Sequence, residues 1–324
     1  MEKYIDKIII SVLKGNDYRP YVLATINKRF IDSVYSLLTK ILEARKKNKS
    51  SDWWISELVN NPLISKRELL WFTGLNNKTV TNMANTAKRN ICIDLGNQNI
   101  ESIKMLTREI EKMHDGLPSI EVRIKYKKEE IVLSEQESIL LLNTISAMKL
   151  TIQGGAWSEV GKKVEKKLLF TIFELLGIPS KNYILVSDEM KKRGFVENRE
   201  IDGIILNDDL KKKIQIELKL LGIGNPEIGD EALARAVELF LVDRMTVMMI
   251  EEGKKKGVNI IELRDPNALS KIADFLKKQG FSVKNPPKLE DIENLVPEIT
   301  KKYNEELENT KIIHKAKEIV KGGK

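Results

Sequence analysis

The segment from Lys213 to Leu220 alternates strictly between polar and apolar residues, and this alternation constrains the fold more than any other feature. Successive side chains of a β-strand point to opposite faces of its sheet, so a period of two is typical of a strand. The isoleucines and leucines would share one face, and Gln215, Glu217 and Lys219 would share the other. The segment therefore predicts a strand that has an apolar face and a carboxylate beside an amine on the opposite face.

A second strand is predicted directly before it, over residues 201–206. The connection Asn207-Asp208-Asp209 consists of turn-forming residues, so the two strands are expected to form a hairpin. With the turn centred between residues 209 and 210, Asp202 would lie opposite Glu217, with Cβ atoms about 5 Å apart. Two carboxylates and one amine would then converge on one face.

This convergence predicts a site for phosphodiester hydrolysis. Adjacent carboxylates repel each other unless a cation neutralises them, and Mg²⁺ prefers hard carboxylate oxygens and accepts phosphate as a further ligand. Asp202 and Glu217 are therefore expected to bind Mg²⁺, and Lys219 to orient or help deprotonate the attacking water. The alternative is a solvent-facing strand of alternating charges, because Glu-x-Lys is common by chance where 31% of residues are charged.

The elements around this hairpin favour the catalytic interpretation. An amphipathic helix is predicted over residues 157–177 and a short strand over residues 183–186. The elements predicted after the hairpin are a helix at 230–237, a strand at 239–242, a helix to about 256, a strand at 258–263 and a helix at 265–279. This order predicts an α/β sandwich.

From about Gly155 to Gly280 the chain resembles the PD-(D/E)xK nuclease superfamily, specifically the type II restriction endonucleases. Ile201-Asp202 matches the Pro-Asp motif and Glu217-Leu218-Lys219 matches the Glu-x-Lys motif. Isoleucine replaces the proline, a residue that does no chemistry in the superfamily. The stretches GGAWSEVGKKVEKKLLF and IELKLLGIGNPEIGDEALAR look more narrowly like the CfrBI-type restriction enzymes.

The resemblance implies a restriction-endonuclease-like α/β fold, with a mixed sheet flanked by helices. It implies a type II restriction endonuclease that uses Mg²⁺ to cleave double-stranded DNA at a specific short sequence and leaves 5′-phosphate ends. Asp202 and Glu217 would hold the metal, and Lys219 would serve the attacking water. Glu165 matches a position from which many members add an acidic group, and the alternative is the solvated flank of an amphipathic helix. A homodimer is also implied, since a twofold protein reads a twofold site.

The loop at residues 222–227 leaves the catalytic strand and should lie near DNA. Its glycines allow close approach of the backbone. Asn225, Glu227 and Arg235 are therefore candidate DNA contacts. They could equally be structural turn residues and part of a helix face.

Residues 65–90 resemble a helix-turn-helix within a mainly helical N-terminal region, residues 1–152. Ser65 and Glu68 can form a capping box, and Gly74 can end the first helix in a left-handed turn. The second helix, capped by Asn76 or Asn77, would hold Val80, Met83, Ala84 and Ala87. Its outward side chains could bond base edges or phosphates: Asn77, Lys78, Thr81 and Asn82. The alternative is a pair of short helices that touch no DNA.

The domain boundary is predicted at Gln153-Gly154-Gly155, where the helical pattern is interrupted. Residues 153–285 would form the nuclease domain. Residues 286–324 would form a charged helical extension after the hinge Pro286-Pro287, with a helix from about Pro297.

The basic composition fits a polyanionic partner, because lysine and arginine gain free energy by displacing counterions from phosphates. The formal net charge is +8, although Lys/Glu/Ile-rich chains often carry a few excess lysines. The single cysteine, Cys92, excludes an internal disulfide and fits a cytoplasmic protein. The chain has no signal peptide, membrane-spanning stretch or phosphate-cradling glycine loop, so neither a membrane nor a nucleotide cofactor is expected.

Two other functions remain open at this point. The nuclease could act in DNA repair, junction resolution or homing, or the chain could be a DNA-binding regulator with an inactive nuclease fold. The joint presence of Asp202, Glu217 and Lys219 argues against the regulator, because an idle site has no need of them. His114 and His314 lack partners at metal-ligand spacing and are interpreted as surface residues.

Overall fold

The computed structural model describes residues 2–113, 116, 118–192, 201–209, 211–220 and 237–308. Contacts between Cα atoms divide the chain into two units. Residues 26–156 form one, here called the helical unit, and residues 1–25 with 157–324 form the other, here called the sheet unit. In the part of the chain described, every helix is too short or too polar to cross a membrane.

The helical unit is built mainly from helices around a buried tryptophan pair. Its elements are most of α2 (Arg19–Lys47), a π-helix (Trp54–Val59), α3 (Lys66–Phe72), α4 (Asn77–Ala84), α5 (Arg89–Met113), the hairpin strands β1 (Val122–Tyr126) and β2 (Glu129–Leu133), and the first half of α6 (Glu135–Leu175). Trp53 and Trp54 are almost fully buried. The Trp54 indole donates to the Phe72 carbonyl at 3.0 Å, which satisfies its polar atom inside the core. The prediction of a mainly helical N-terminal region is confirmed.

The turn between α3 and α4 forms as its sequence predicts. Ser65 and Glu68 make a reciprocal capping box at the start of α3. Gly74 has a φ of +70°, the left-handed conformation that glycine adopts without steric penalty. Asn76, the first of the two candidate caps, accepts a hydrogen bond from the Thr79 N–H and begins α4.

Helix α4 is shorter than its sequence predicts. It ends at Ala84, so the prediction that Ala87 belongs to it is wrong. Val80 is fully buried and Met83 is 64% exposed. The helix ends soon after Met83, at Asn85 in the left-handed conformation, which leaves this side chain at the helix end. The four polar side chains predicted to face outward are exposed: Asn77, Lys78, Thr81 and Asn82.

Helix α6 continues through Gln153-Gly154-Gly155, so the predicted interruption is wrong. A glycine in a helix costs only about 1 kcal/mol relative to alanine, which packing on either side of it can offset. The segments on either side of these glycines therefore form one helix of 41 residues. The contact boundary lies within this helix, between residues 156 and 157, and residues 1–25 belong to the sheet unit.

The sheet unit contains a mixed five-stranded sheet in the order β3-β4-β5-β6-β7. The strands are β3 (Tyr183–Leu185), β4 (Gly203–Leu206), β5 (Lys213–Lys219), β6 (Leu239–Val242) and β7 (Asn259–Glu262). The first three strands are antiparallel, and β5, β6 and β7 run parallel. The mixed sheet is consistent with a restriction-endonuclease-like fold. The predicted helix at 230–237 lies almost wholly outside the described residues.

Helices accompany the sheet, and one of them meets it at a glycine. These helices are α1 (Glu2–Leu13), the second half of α6, α7 (Asp188–Lys192), α8 (Val247–Lys256), α9 (Ala268–Lys278) and α10 (Ile292–Glu308). A Cβ atom on Gly203 would lie 2.6 Å from Leu169 of α6 and 3.3 Å from Phe173. Glycine at this position therefore lets α6 approach β4 closely, beside the residue predicted to bind metal.

The segment after Pro286 packs within the sheet unit. Helix α10 begins at Ile292, so the predicted start at about Pro297 is wrong. Side chains at helical spacing are buried along one side of it: Ile292, Val296, Thr300 and Tyr303. The Tyr303 ring lies 5.2 Å from Phe170 of α6. These contacts explain why residues 286–308 group with the sheet.

Two glycine substitutions should have opposite effects on the free energy of unfolding. Gly154→Ala should stabilise the protein by roughly 0.5–1 kcal/mol, because alanine favours helix and the new methyl group meets no atom within 4 Å. Gly74→Ala should destabilise it by more than ~1 kcal/mol, because of its φ and because the Cβ would lie 1.9 Å from the Asn143 side-chain nitrogen. Urea denaturation measures both values, and equal stability of the two variants would contradict the left-handed turn at Gly74.

Candidate active site

The β4–β5 hairpin has the register predicted from its turn. Gly203 pairs with Ile216 and Leu206 with Lys213. The Asn207 N–H donates to the Lys212 carbonyl at 3.0 Å and closes the hairpin in the same register. The apolar residues of β5 are buried as expected, and Glu217 on the other face is buried as well. The strand is therefore covered on both faces around the candidate site.

Asp202 lies at a bulge where the regular pairing stops. The N–H of Asp202 donates to the Ile216 carbonyl at 2.9 Å, although Ile216 is already paired with Gly203. Two residues facing one is the pattern of a β-bulge, which redirects a side chain. The Asp202 carboxylate accepts a hydrogen bond from the Leu218 N–H at 2.9 Å. Asp202 is thus bonded to the central residue of Glu217-Leu218-Lys219, and the predicted direct opposition to Glu217 is replaced by this contact.

Glu217 and Lys219 lie next to each other on β5. Glu217 has no exposed surface, and its Oε1 lies 3.6 Å from the Lys219 Nζ. Burying a carboxylate is unfavourable unless a positive charge compensates it. Lys219 supplies such a charge and keeps 24% of its own side chain exposed. The amine can therefore reach a molecule bound at the surface of this site.

Glu165 of α6 reaches the end of the same strand. Its carboxylate accepts a hydrogen bond from the Leu220 N–H at 3.0 Å. This contact contradicts the alternative that Glu165 is only a solvated flank of its helix. Burial first, and the Asp202 charge to a smaller extent, raise the pKa of the Glu165 carboxyl to about 7, against the lowering effect of the Leu220 hydrogen bond. Glu165 therefore lies within electrostatic range of the candidate metal ligands.

Two neighbours of this site were not predicted from the sequence. The Lys191 Nζ of α7 lies 3.7 Å from the Asp202 carboxylate, and both side chains are largely buried. Asp243, directly after β6, donates its N–H to the Lys219 carbonyl at 3.0 Å and is 2% exposed. Nothing local distinguishes Lys191 from the many other lysines. Asp243 is marked only as a charged residue directly after a short apolar strand.

The carboxylates present fit a hard divalent cation. Asp202 and Glu217 offer carboxylate oxygens, and the Asp202 carboxylate is hydrogen bonded to the N–H of Leu218, the residue after Glu217. Among the described residues, no three His, Cys, Asp or Glu side chains are grouped to hold a metal ion together. Mg²⁺ is commonly held by one or two protein carboxylates, with waters and substrate phosphate as the other ligands. A two-carboxylate donor set is therefore compatible with Mg²⁺.

The other predicted DNA contacts lie in the helical unit or outside the described residues. Asn225, Glu227 and Arg235 lie outside the described residues, so their predicted role stays a prediction. Asn77, Lys78, Thr81 and Asn82 lie on the exposed side of α4 in the helical unit. Their side chains are accessible, and their role in DNA reading also stays a prediction.

Known proteins with similar sequences include restriction enzymes. The family described as CfrBI restriction endonuclease matches residues 2–249, a range that contains Glu165, Asp202 and Glu217 to Lys219. The type II restriction enzyme CfrBI of Citrobacter freundii is 20% identical over 320 residues, which cover 90% of this chain and 86% of that protein. No solved structure matches significantly. Because the family match covers most of the sequence and includes both the helical unit and the candidate site, the chain belongs to the CfrBI restriction endonuclease family.

Proposed function

We propose that the protein is a type II restriction endonuclease that cleaves double-stranded DNA at a specific short sequence, requires Mg²⁺ and leaves 5′-phosphate ends. The observation that supports this most strongly is the contact between the Asp202 carboxylate and the N–H of Leu218. It brings the acidic residue directly before β4 to the Glu217–Lys219 segment of β5. Family membership supports the same conclusion, since the related enzyme carries the name of a type II restriction enzyme.

In this proposal Asp202 and Glu217 hold Mg²⁺, which when bound supplies positive charge to the scissile phosphate and acidity to a bound water. Lys219 donates a hydrogen bond to the attacking water and opposes the negative charge that builds on the phosphate. Glu165 orients the strand end through Leu220, and its carboxyl, with a pKa of about 7, can exchange a proton near neutral pH. Lys191 adds a second positive charge beside Asp202.

The helical unit is proposed to contribute to DNA reading through the exposed side of α4. Asn77, Lys78, Thr81 and Asn82 offer donors and acceptors of the kind that bind base edges and phosphates. The loop residues Asn225, Glu227 and Arg235 are proposed as further contacts near the cleavage site. A homodimer is proposed because two copies would cleave both strands of a twofold site.

Loss of the Lys219 amine should abolish cleavage while leaving DNA binding intact. Lys219→Ala is expected to lower the cleavage rate at least ~100-fold, because one positioned donor is worth about that much in transition-state stabilisation. Lys213→Ala is the matched control, since Lys213 begins the same strand and is exposed at its other end. The measurement is fragment formation from DNA of known sequence, with Mg²⁺ or with EDTA.

The outcomes of this cleavage experiment separate the candidate functions. Discrete fragments that need Mg²⁺, persist in Lys213→Ala and disappear in Lys219→Ala support the restriction endonuclease. Cleavage of branched or damaged DNA alone would favour the repair or junction-resolving nuclease. Tight, salt-sensitive binding without cleavage of any DNA, unaffected by Lys219→Ala, would favour the regulator.

Two substitutions on α4 should weaken DNA binding in different ways. Lys78→Ala should weaken binding to all sequences and reduce the salt dependence of log Kd by about one unit of slope, as expected for one phosphate contact. Asn82→Ala should cost about 1–3 kcal/mol on the cleaved sequence alone, as expected for a base contact. Lys128→Ala, at the exposed hairpin turn of the same unit, is the control. Fluorescence anisotropy at several salt concentrations measures both effects, and unchanged binding in both α4 variants would contradict the proposed role of α4.

A further inference from the structure

Three buried side chains lie together at the end of the parallel strands. One of these residues is hydrogen bonded to the backbone of β5, the candidate catalytic strand. They are Tyr18, Asp243 and Arg264, here called the strand-end cluster. All three belong to the sheet unit, although Tyr18 is more than two hundred residues away in sequence from the other two. Their side chains are 10% exposed or less.

Asp243 connects the cluster to Lys219. Its N–H donates to the Lys219 carbonyl at 3.0 Å, which extends the β5–β6 pairing to the residue after β6. The Asp243 side chain is 2% exposed, so the conformation of this residue depends on what binds its carboxylate. Any shift of Asp243 would move the carbonyl group of Lys219, and with it the origin of the lysine side chain.

Arg264 binds the Asp243 carboxylate with two nitrogens. Its Nε lies 2.8 Å from Oδ1 and its Nη2 lies 3.3 Å from Oδ2. A bidentate guanidinium–carboxylate pair restricts both position and rotation of the carboxylate. Arg264 is itself placed by β7, because the adjacent Leu263 donates its N–H to the Val242 carbonyl at 2.7 Å.

Tyr18 completes the cluster from the connection between α1 and α2. Its side chain is buried, and this burial together with the charge of Asp243 raises the pKa of the Tyr18 phenol. The Tyr18 ring lies 5.6 Å from the Arg264 guanidinium carbon. The connection also approaches the Arg264 backbone closely, because a Cβ on Gly15, whose φ is +71°, would lie 2.6 Å from the Arg264 carbonyl oxygen.

We propose that Tyr18, Asp243 and Arg264 are positioning residues that hold the Lys219 end of β5 in the geometry needed for phosphodiester hydrolysis, an inference that rests on the proposed nuclease function. The N-terminal residues 1–25 thereby complete the active site from a distant part of the sequence. Glu165, which binds the next N–H of β5, contributes to the electrostatic environment of Tyr18, so the two supports act on the same strand end.

The positioning role is tested with Tyr18→Phe, which removes one hydroxyl and keeps the ring. Single-turnover cleavage should slow about tenfold, the effect expected from losing one polar group that interacts with the buried Asp243 charge. The Kd for DNA, measured without Mg²⁺, should change less than about twofold, because the Tyr18 side chain is buried. Arg264→Lys, which keeps the charge and loses the bidentate contact, should slow cleavage in the same way.

Tyr303→Phe is the matched control, because Tyr303 is also buried in the sheet unit but packs against Phe170 of α6. It makes the same chemical change and should leave the cleavage rate near that of the wild type. Hydrogen–deuterium exchange over residues 211–220 gives a readout that needs no cleavage. Exchange there should be faster in Tyr18→Phe and unchanged in Tyr303→Phe.

A cleavage rate in Tyr18→Phe equal to that of Tyr303→Phe would overturn the proposal, and so would equal exchange over residues 211–220. A slower rate with unchanged Kd and faster local exchange supports it. If the wild-type protein cleaves no DNA, the proposed function fails. The exchange comparison then still decides whether Tyr18 orders the end of β5.

Discussion

The end of β5 depends on three consecutive backbone groups that all need partners, because the strand is buried on both faces. The Leu218 N–H donates to Asp202, the Lys219 carbonyl accepts from Asp243, and the Leu220 N–H donates to Glu165. A buried backbone group without a partner would cost about as much as a lost hydrogen bond. Asp202 lies directly before β4, Asp243 lies directly after β6 and Glu165 lies on α6, so the same requirement places acidic residues from three parts of the sheet unit around Lys219.

Electrostatics oppose this arrangement, because burying charged groups is unfavourable. A carboxylate and an ammonium 3.6 Å apart attract by roughly 4–5 kcal/mol at an effective dielectric constant of about 20. Desolvating each buried ion costs several kcal/mol, so the Glu217–Lys219 pair is close to neutral for stability. Such pairs are better explained by a functional need for charge than by stability. Burial also raises the pKa of Glu165 to about 7, and the charge of the nearby Asp202 carboxylate contributes to this rise.

The elements set by local patterns were predicted well from the sequence. The alternation in β5, the turn residues after β4, and the capping box with Gly74 each act over a few residues, and all formed as expected. The predictions were wrong where tertiary packing, rather than the local pattern, determined the structure. Helix α6 passes through two glycines and has its two ends in different units, and α4 ends at Ala84 although its sequence pattern extends to Ala87. Neither outcome is visible in a short window of sequence.

The sequence by itself determined the register of the β4–β5 hairpin and the strand face that Glu217 and Lys219 share, because a strand of period two and a short turn leave one register. Only the tertiary structure decided which groups surround them. The bulge directs Asp202 to the Leu218 N–H, α7 brings Lys191 to Asp202, and the N-terminal connection brings Tyr18 to Asp243. These contacts join residues far apart in the chain, and they form only when the folded core fixes where each backbone segment ends.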